Sequence, residues 1–419
     1  MAFRDRFPAL ASRDFSIFLA GQFISLIGTW MQNTVQPYLA YRITGSSFDL
    51  GLIAFSATLP TLILALPAGV IIERLDKRKI VIAMQVIEMI QAFLLAFLAL
   101  AGHIQVWHLI VLSFVLGAAS AIEITARQAM LIELVGKPTL PNAIALQSTI
   151  YNLARVIGPS LTAIVLVLIQ NHGEGWAFFA NGVSFLFVIV GLFFVRTPYR
   201  VVKPELFPEK LDLIAEFKEG WQYISGNTVV LLIIIMVAVI GFFGFPFTNQ
   251  IPALARDVLR QVADTEAAVA ARTGDLYLAQ GFGALIAAAV ISTYSTLRRK
   301  GLLMTIGQFV FAVGLVLLAF AHNLPAAIVL IAVNGWATVA QLMMMNTLIQ
   351  IDVPDVLRGR VYSVYLWAQQ GVAPFGSLFI GWLAQAAGVP RAALVGGLVC
   401  LLVVVLTHVK WPVLRQKMA

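Results

Sequence analysis

Three ionisable residues lie inside long apolar runs of the sequence, and side chains of these types can bind and release protons. They are Glu88, Glu123 and Arg155. Placing an ionisable side chain deep in hydrocarbon costs about 2.5–3.5 kcal/mol on insertion scales, so each needs a partner or a function. Burial favours the neutral form of a carboxylate, and a nearby arginine favours the ionised form. We therefore predict that Glu123 is the main proton-coupling carboxylate, that Arg155 is its charge partner, and that Glu88 is a second candidate.

Each of these residues also has a purely structural interpretation. Glu123 could form a static structural pair with Arg155, and Arg127 lies four residues further along the same helix face. Glu88 is two turns from the end of its apolar run and could extend to the membrane surface.

The sequence shows no pattern typical of catalysis or of a bound cofactor. The five histidines have no metal-ligand spacing, and the single cysteine, Cys400, lies in an apolar run. There is no Gly-x-x-x-x-Gly-Lys-Ser/Thr loop to bind a nucleotide. We predict that the protein is not an enzyme, holds no cofactor or metal, and draws energy from a proton gradient.

The composition requires lipid as the solvent for most of the chain. Of 419 residues, 60% are hydrophobic and 11% are charged, with a mean hydropathy of +0.91. Soluble domains contain about 25% charged residues because their surface faces water. This excludes a soluble enzyme, a nucleic-acid-binding protein and a disordered scaffold.

A membrane-spanning helix needs about 20 mainly apolar residues. Runs of this kind predict twelve such helices, at roughly 15–41, 50–72, 80–101, 106–130, 142–170, 176–195, 228–250, 275–297, 302–321, 325–350, 361–387 and 391–409.

The basic residues are distributed unevenly between the two sides of this arrangement. Of the 28 lysines and arginines, 22 fall on one side, 5 on the other, and Arg155 inside a span. Cytoplasmic loops of membrane proteins carry an excess of lysine and arginine. We therefore expect both termini in the cytoplasm and the protein in the plasma membrane, the inner membrane of a bacterium.

A charged stretch divides the chain into two halves of six helices. The predicted domains are residues 1–195, a cytoplasmic linker at 196–227, and residues 228–419. The end of the linker, from Leu211 to Ile224, alternates apolar and charged residues at helical spacing, which predicts a surface helix. The halves also resemble each other, because Arg155-Val-Ile-Gly158-Pro159 in span five is similar to Gln370-Gly-Val-Ala-Pro374 in span eleven.

The loop between spans two and three reads Gly69-Val-Ile-Ile-Glu73-Arg74-Leu-Asp76-Lys77-Arg78-Lys79. It resembles the signature loop of the major facilitator superfamily, in which aspartate and glycine usually stand at the positions of Glu73 and Asp76. The resemblance implies an all-α membrane protein of two pseudo-symmetric six-helix bundles with a substrate cavity between them. It also implies a gate on the cytoplasmic side, for which the candidates are Glu73, Arg74, Arg78, Arg127 and Arg360. In this gate Glu73 would pair with Arg127.

The segments around Arg127, Asn142, Gly158-Pro159 and Pro354–Ser363 resemble the enterobactin-exporter and macrolide-efflux branch of this superfamily. That resemblance implies export of siderophores or drugs in exchange for protons. Gly158, Pro159 and Pro374 are predicted to form hinges or close-packing points, because glycine and proline bend helices and allow close approach.

Soft, aromatic and amide side chains are predicted to line the cavity, and they suit a bulky amphipathic substrate better than a sugar. The candidates are Trp30, Asn33, Gln36, Phe243, Asn249, Gln341, Met344 and Asn346. We therefore expect a proton-coupled exporter whose partners are a small-molecule substrate, protons and the bilayer, with no nucleic acid and no obligate protein partner. The alternatives are a lipid or lysophospholipid transporter, an uncoupled facilitator, and a receptor or assembly subunit that has lost transport.

Overall fold

The structure is a computed structural model that describes residues 7–73, 75–169, 172–196, 213–261, 264–293 and 300–411. For residues 65–71, 73, 213–217, 292–293 and 355–356 it describes the backbone alone. Within these ranges the regular structure is helical throughout and contains no strand.

Six long helices form the first half of the described chain, after a short 3₁₀ turn at Pro8–Ala11. They are α1 (Arg13–Thr44), α2 (Ser47–Glu73), α3 (Lys77–Leu100), α4 (Val106–Val135), α5 (Leu140–Leu168) and α6 (Gly173–Phe194).

The second half begins with a short helix and continues with long ones. The elements are α7 (Leu213–Gly226), α8 (Thr228–Val258), α9 (Glu266–Thr293), α10 (Lys300–Leu318), α11 (Leu324–Asp352), α12 (Asp355–Leu366), α13 (Ala373–Ala387) and α14 (Val389–Lys410). α8 is irregular, with π-helical turns at Ile240–Gly244 and Leu254–Val258.

Eleven helices among the described residues are long and apolar enough to cross a membrane. They correspond to eleven of the twelve predicted spans. The remaining prediction, at 361–387, falls on α12 and α13, which are separated by a π-helical turn at Trp367–Gly371. Pro374 stands in the first turn of α13, where its missing N–H is tolerated, so the helix restarts there.

The signature loop ends in a helix cap. The carboxylate of Asp76 accepts hydrogen bonds from the backbone N–H groups of Arg78 and Lys79, at 3.1 and 3.3 Å. Asp76 has an extended backbone with φ −66° and ψ 102°, so this position does not need glycine. Aspartate is one of the favoured N-cap residues, which explains why it can replace the glycine usual in the superfamily.

The described chain forms two compact units whose boundaries differ from the predicted domains. One unit contains Met1–Thr44, Ser56–Pro208 and Thr265–Gly274, and the other contains Gly45–Phe55, Glu209–Asp264 and Asp275–Ala419. The first turns of α2 therefore pack with the second unit, and the first turns of α9 pack with the first unit. A division at the charged linker assigns α2 and α9 each to a single half. In the structure each of these two helices is divided between the two units.

The same pairings of helices recur inside each unit. In the first unit α6 packs against α1 and α3, and α3 packs against α4. In the second unit α14 packs against α8 and α10, and α10 packs against α11. Each of these four helices thus has a counterpart in the other unit, in keeping with the similarity of the two sequence halves.

The linker helix α7 belongs to the second unit. It begins at Leu213 and ends at Gly226, so the structure confirms a helix in the predicted stretch. The carboxylate of Glu219 pairs with Arg360 of α12 at 2.7 Å, and Tyr223 donates a hydrogen bond to the carbonyl of Asp352 at 3.3 Å. These contacts hold α7 against the ends of α11 and α12.

Candidate functional site

Two buried carboxylates meet at the contact between α3 and α4. Glu88 and Glu123 are 5% and 3% exposed, and they interact electrostatically. The hydroxyl of Ser120, on α4, donates a hydrogen bond to Glu88 at 2.7 Å. Glu88 lies eleven residues into α3, about 16 Å along the helix axis, and it faces the interior of the unit. The structure therefore excludes the alternative in which Glu88 extends to the membrane surface.

Glu123 has two polar partners, and Arg155 is not one of them. The Nε atom of Arg127 lies 3.6 Å from Glu123, and Gln85 donates a hydrogen bond to the same carboxylate at 3.3 Å. The predicted pairing with Arg155 is wrong. Arg127 is one turn along the same helix, and the helix geometry alone brings it to Glu123. Within the described residues no basic group pairs with Glu88.

Arg155 lies instead on an aromatic surface formed by α1 and α5. Its guanidinium carbon is 5.5 Å from the centroid of the Trp30 ring, and Tyr151 contacts the same ring edge-on at 5.6 Å. An arginine over an indole face is attracted by the ring quadrupole. Among the described residues no acidic side chain forms an ion pair with Arg155. This is a cation at mid-helix whose observed partners are aromatic.

A cluster of buried amides lies next to the two carboxylates in the same unit. The amide of Gln32 on α1 donates to Gln91 on α3 at 3.2 Å and to Gln36 at 3.3 Å, and it accepts from Asn181 on α6 at 2.7 Å. Gln36 in turn donates to the hydroxyl of Ser113 on α4. Gln36 was predicted to line the cavity, whereas the structure places it inside the unit at 7% exposure. We call Gln32, Gln36, Gln91, Ser113 and Asn181 the amide cluster.

The predicted gate residues have partners within their own units. Arg78 donates a hydrogen bond to the carbonyl of Phe193 at 3.1 Å, Arg127 pairs with Glu123, and Arg360 pairs with Glu219. α7 packs directly against α12, so Glu219 is the carboxylate within reach of Arg360. The side chain of Glu73 and all of Arg74 lie outside the described residues.

One of the predicted packing points, Gly158, lies at a close contact between two helices. A Cβ atom on Gly158 would lie 2.4 Å from the Cβ of Trp30 and 2.9 Å from the carbonyl oxygen of Ile27, so α1 and α5 touch here. The neighbouring Pro159 is buried inside α5. Pro374 is also buried, at the start of α13, and it follows the π-helical turn.

The candidate cavity residues of the second unit are mostly engaged in packing. Phe243 packs on Phe242 and Phe379, and Asn249 donates to Ser377 at 3.5 Å. Asn346 donates to the hydroxyl of Tyr362 at 3.1 Å. Gln341 and Met344 are buried at 0% and 4% exposure, and Gln341 lies beside Gly307 of α10. In the first unit Asn33 is exposed.

Two features of the site were not predicted from the sequence. One is the pair of Ser120 and Gln85, which hold the carboxylates. The other is a buried ion pair between Lys77 and Glu133, 2.9 Å apart and joining the start of α3 to the end of α4. The spacing of Gln85, Glu88 and Gln91 along one apolar helix is the signal that could have revealed the polar side of α3.

A sequence profile described as transmembrane secretion effector, of the major facilitator type, matches residues 5–418. The chain belongs to this family. As a major facilitator superfamily protein it has the predicted fold, and the family indicates a transporter rather than an enzyme. Among the residues that the structure describes, no group of three or more histidine, cysteine or acidic side chains is placed to hold a metal ion.

Curated relatives of this chain have names that refer to efflux, export or transport of small molecules. The chain is 25% identical to the multidrug efflux pump Tap of Mycolicibacterium fortuitum, over 84% of each chain. It is 23% identical to the staphyloferrin A transporter of Staphylococcus aureus, over 91% of this chain and 92% of the relative. It is 25% identical to the enterobactin exporter EntS of Escherichia coli, over 88% of this chain and 84% of the relative.

Solved structures of transporters share the fold of this chain. A POT family transporter in complex with a thioalcohol-conjugated peptide superposes with a TM-score of 0.73, at 12% identity and 96% coverage of both chains. A bacterial homologue of the human lysosomal transporter Spinster superposes with a TM-score of 0.70, at 15% identity and 97% coverage of both chains. At these identities the likeness concerns the fold alone.

Proposed function

We propose that this protein is a proton-coupled exporter of a bulky amphipathic small molecule, working by alternating access. The observation that carries the proposal is the pair of buried carboxylates, Glu88 and Glu123, held by Ser120, Gln85 and Arg127 at the contact of α3 and α4. Two neighbouring carboxylates inside a membrane-spanning bundle are costly if both are ionised, so such a pair is suited to bind a proton.

In this proposal the two carboxylates have different roles, and their different partners support that division. Glu123 forms an ion pair with Arg127, whereas Glu88 accepts a hydrogen bond from Ser120 and has no basic partner among the described residues. Glu88 is therefore the group that takes up and releases the proton. Glu123 and Arg127 would set its affinity, and a movement of α3 against α4 would change that affinity during the transport cycle.

The substrate class follows from the arginine and the aromatic rings on the first unit. Arg155 lies over Trp30 and beside Tyr151, which is 46% exposed. A guanidinium on an aromatic surface suits a ligand that combines an anionic group with apolar or aromatic area. Relatives named a multidrug efflux pump and an enterobactin exporter support export of such a molecule. By the charge bias of the loops, the protein would lie in the bacterial inner membrane with both termini in the cytoplasm.

The test uses purified protein in proteoliposomes with an imposed pH gradient. An amphipathic fluorescent dye serves as the substrate, and transport against its gradient is compared with counterflow, which needs no proton. Glu88→Gln removes the proton-binding group, so we expect loss of gradient-driven transport and retention of counterflow. Glu123→Gln removes the carboxylate beside Glu88, which should change the proton affinity of Glu88 and so reduce the driven rate.

A matched control is Glu174→Gln, which changes another buried carboxylate of the same unit. Glu174 is 4% exposed and pairs with Arg42 at 3.1 Å, so its ion pair does not involve Glu88 or Glu123. We expect this variant to keep gradient-driven transport. Gradient-driven transport at the wild-type rate in both Glu88→Gln and Glu123→Gln would contradict the proposal and favour an uncoupled facilitator or a different coupling site.

A further inference from the structure

The amide cluster and the two carboxylates follow one another through the interior of the first unit. Ser113, at one end, and Glu123, near the other, are ten residues apart on α4 and thus separated by about 15 Å along the helix axis. Hydrogen bonds connect the cluster from Ser113 through Gln36, Gln32 and Gln91. In a second set, Ser120 donates to Glu88, Gln85 donates to Glu123, and Arg127 forms an ion pair with Glu123. The two sets are adjacent on α3.

Two buried polar atoms beside Glu88 have no hydrogen-bond partner among the described residues. They are the Nε2 atom of Gln91 and the Oε1 atom of Gln85. Gln91 and Gln85 are three residues after and three residues before Glu88, so each is a neighbour of Glu88 on the helix surface. Buried polar atoms are almost always hydrogen-bonded, and the usual partner of an unpaired one is an ordered water molecule.

We infer that the interior of the first unit holds a water-filled proton path that leads through the amide cluster to Glu88. The amides do not ionise, so they orient the water molecules that carry the proton. Water at Gln91 would connect the cluster to Glu88, and water at Gln85 would connect Glu88 to Glu123. The inference rests on the proposed proton coupling and adds that protons travel inside one unit. Among the described residues, the charged groups that act on Glu88 are Glu123 and Arg127.

The experiment compares two substitutions at the same position, one that excludes water and one that leaves room for it. Gln91→Leu fills the space with an apolar side chain, and Gln91→Ala leaves room for an additional water molecule. Proton uptake is measured with an entrapped pH-sensitive dye, and the rate is divided by the counterflow rate of the same preparation. We expect Gln91→Leu to lower this ratio roughly tenfold, because the loss of one hydrogen bond changes a rate by about that factor. We expect the ratio of Gln91→Ala to stay closer to that of the wild type.

The matched control is the same pair of changes at Gln308 in the second unit. Gln308 is 1% exposed, as is Gln91, and it contacts the imidazole of His408 at 3.0 Å. Neither Gln308→Leu nor Gln308→Ala should change the ratio. If Gln91→Leu does not fold, Asn181→Leu and Asn181→Ala test the same path from α6.

A wild-type ratio in Gln91→Leu, or equal losses in Gln91→Leu and Gln91→Ala, would overturn the water path. These results are distinguishable from failure of the proposed function. If Glu88→Gln abolishes gradient-driven transport while Gln91→Leu leaves it intact, proton coupling stands and the path is wrong. If Glu88→Gln and Glu123→Gln both transport at the wild-type rate, the coupling site itself is wrong.

Discussion

Arg155 and Glu123 have different partners from those expected, and this changes what each residue is predicted to do. Arg155 was assigned to neutralise a carboxylate, but it lies over the ring of Trp30, while Glu123 pairs with Arg127. Spacing along one helix predicts the Glu123–Arg127 contact. A contact between α4 and α5 depends also on how each helix is rotated about its axis, which the sequence does not specify.

We predict that the positive charge of Arg155 selects for an anionic group on the substrate. Arg155→Gln removes the charge, so binding of an anionic amphipathic dye should weaken about tenfold, while a neutral dye of similar size binds nearly as before. Arg155→Lys should be intermediate, because a lysine keeps the charge but loses the planar stacking on Trp30. Fluorescence titration of the purified protein measures these affinities.

The control for this substitution is Arg391→Gln, which removes a positive charge at the start of α14. Arg391 donates a hydrogen bond to the carbonyl of Ala387 and is exposed. It should leave both affinities unchanged. Equal weakening of the neutral and the anionic dye in Arg155→Gln would mean that Arg155 supports the structure and does not recognise charge.

Between whole helices, the contact of α1 with α5 depends on the missing side chain of Gly158. The backbone of α5 approaches Trp30 so closely that a Cβ atom would overlap the Cβ of that residue, and Thr162 donates a hydrogen bond to the carbonyl of Met31 at 3.2 Å. The Gly-Pro pair predicted this kind of packing. Its partner on α1 became known from the structure alone.

Gly158→Ala should therefore push α1 and α5 apart and destabilise the protein. Overpacking of a close contact costs typically about 1–3 kcal/mol, so we expect a lower midpoint of thermal unfolding in detergent. The control is Gly359→Ala on α12, where a Cβ atom would meet nothing within 4 Å. That substitution should leave the midpoint unchanged or raise it, because alanine favours a helix over glycine. Equal midpoints for the two variants would show that the contact is not tight.

The signature loop shows how an element can be predicted correctly while its contacts are not. The acidic and basic residues of the loop identified the superfamily, and the structure adds that Asp76 caps α3 and that Lys77 pairs with Glu133. Lys77 is 5% exposed. A basic residue at a helix end is usually read as an orientation signal, and its burial depends on α4 ending beside α3.

For the whole molecule, the uneven distribution of lysine and arginine predicts the orientation in the membrane. Residues 102–105 and residues 136–139 connect α3 to α4 and α4 to α5, so they must lie on opposite sides. We place a single cysteine at His103 or at Lys137, both exposed, in a Cys400→Ser background. A membrane-impermeant thiol reagent added to intact cells should label His103→Cys and leave Lys137→Cys unlabelled.

Inverted membrane vesicles provide the control, because there the accessible side is reversed and Lys137→Cys should become labelled. Labelling of Lys137→Cys in intact cells, with His103→Cys protected, would show that both termini lie outside. Such a result would mean that the end of the proposed proton path at Ser113 faces the opposite side of the membrane. The residues that form the path would be the same.

Properties that depend on the local sequence, such as hydrophobicity and charge bias, can be predicted from the sequence alone. The length of apolar runs and the bias of basic residues identified the solvent and eleven of the helices, and the signature loop identified the superfamily, because each depends on the local sequence. Only the tertiary structure decides which polar side chains meet. Glu88 with Ser120, Gln32 with Asn181, and Arg155 with Trp30 join residues from different helices. A rotation of one helix by a single residue, about 100°, would separate any of these pairs while leaving hydrophobicity and charge bias unchanged.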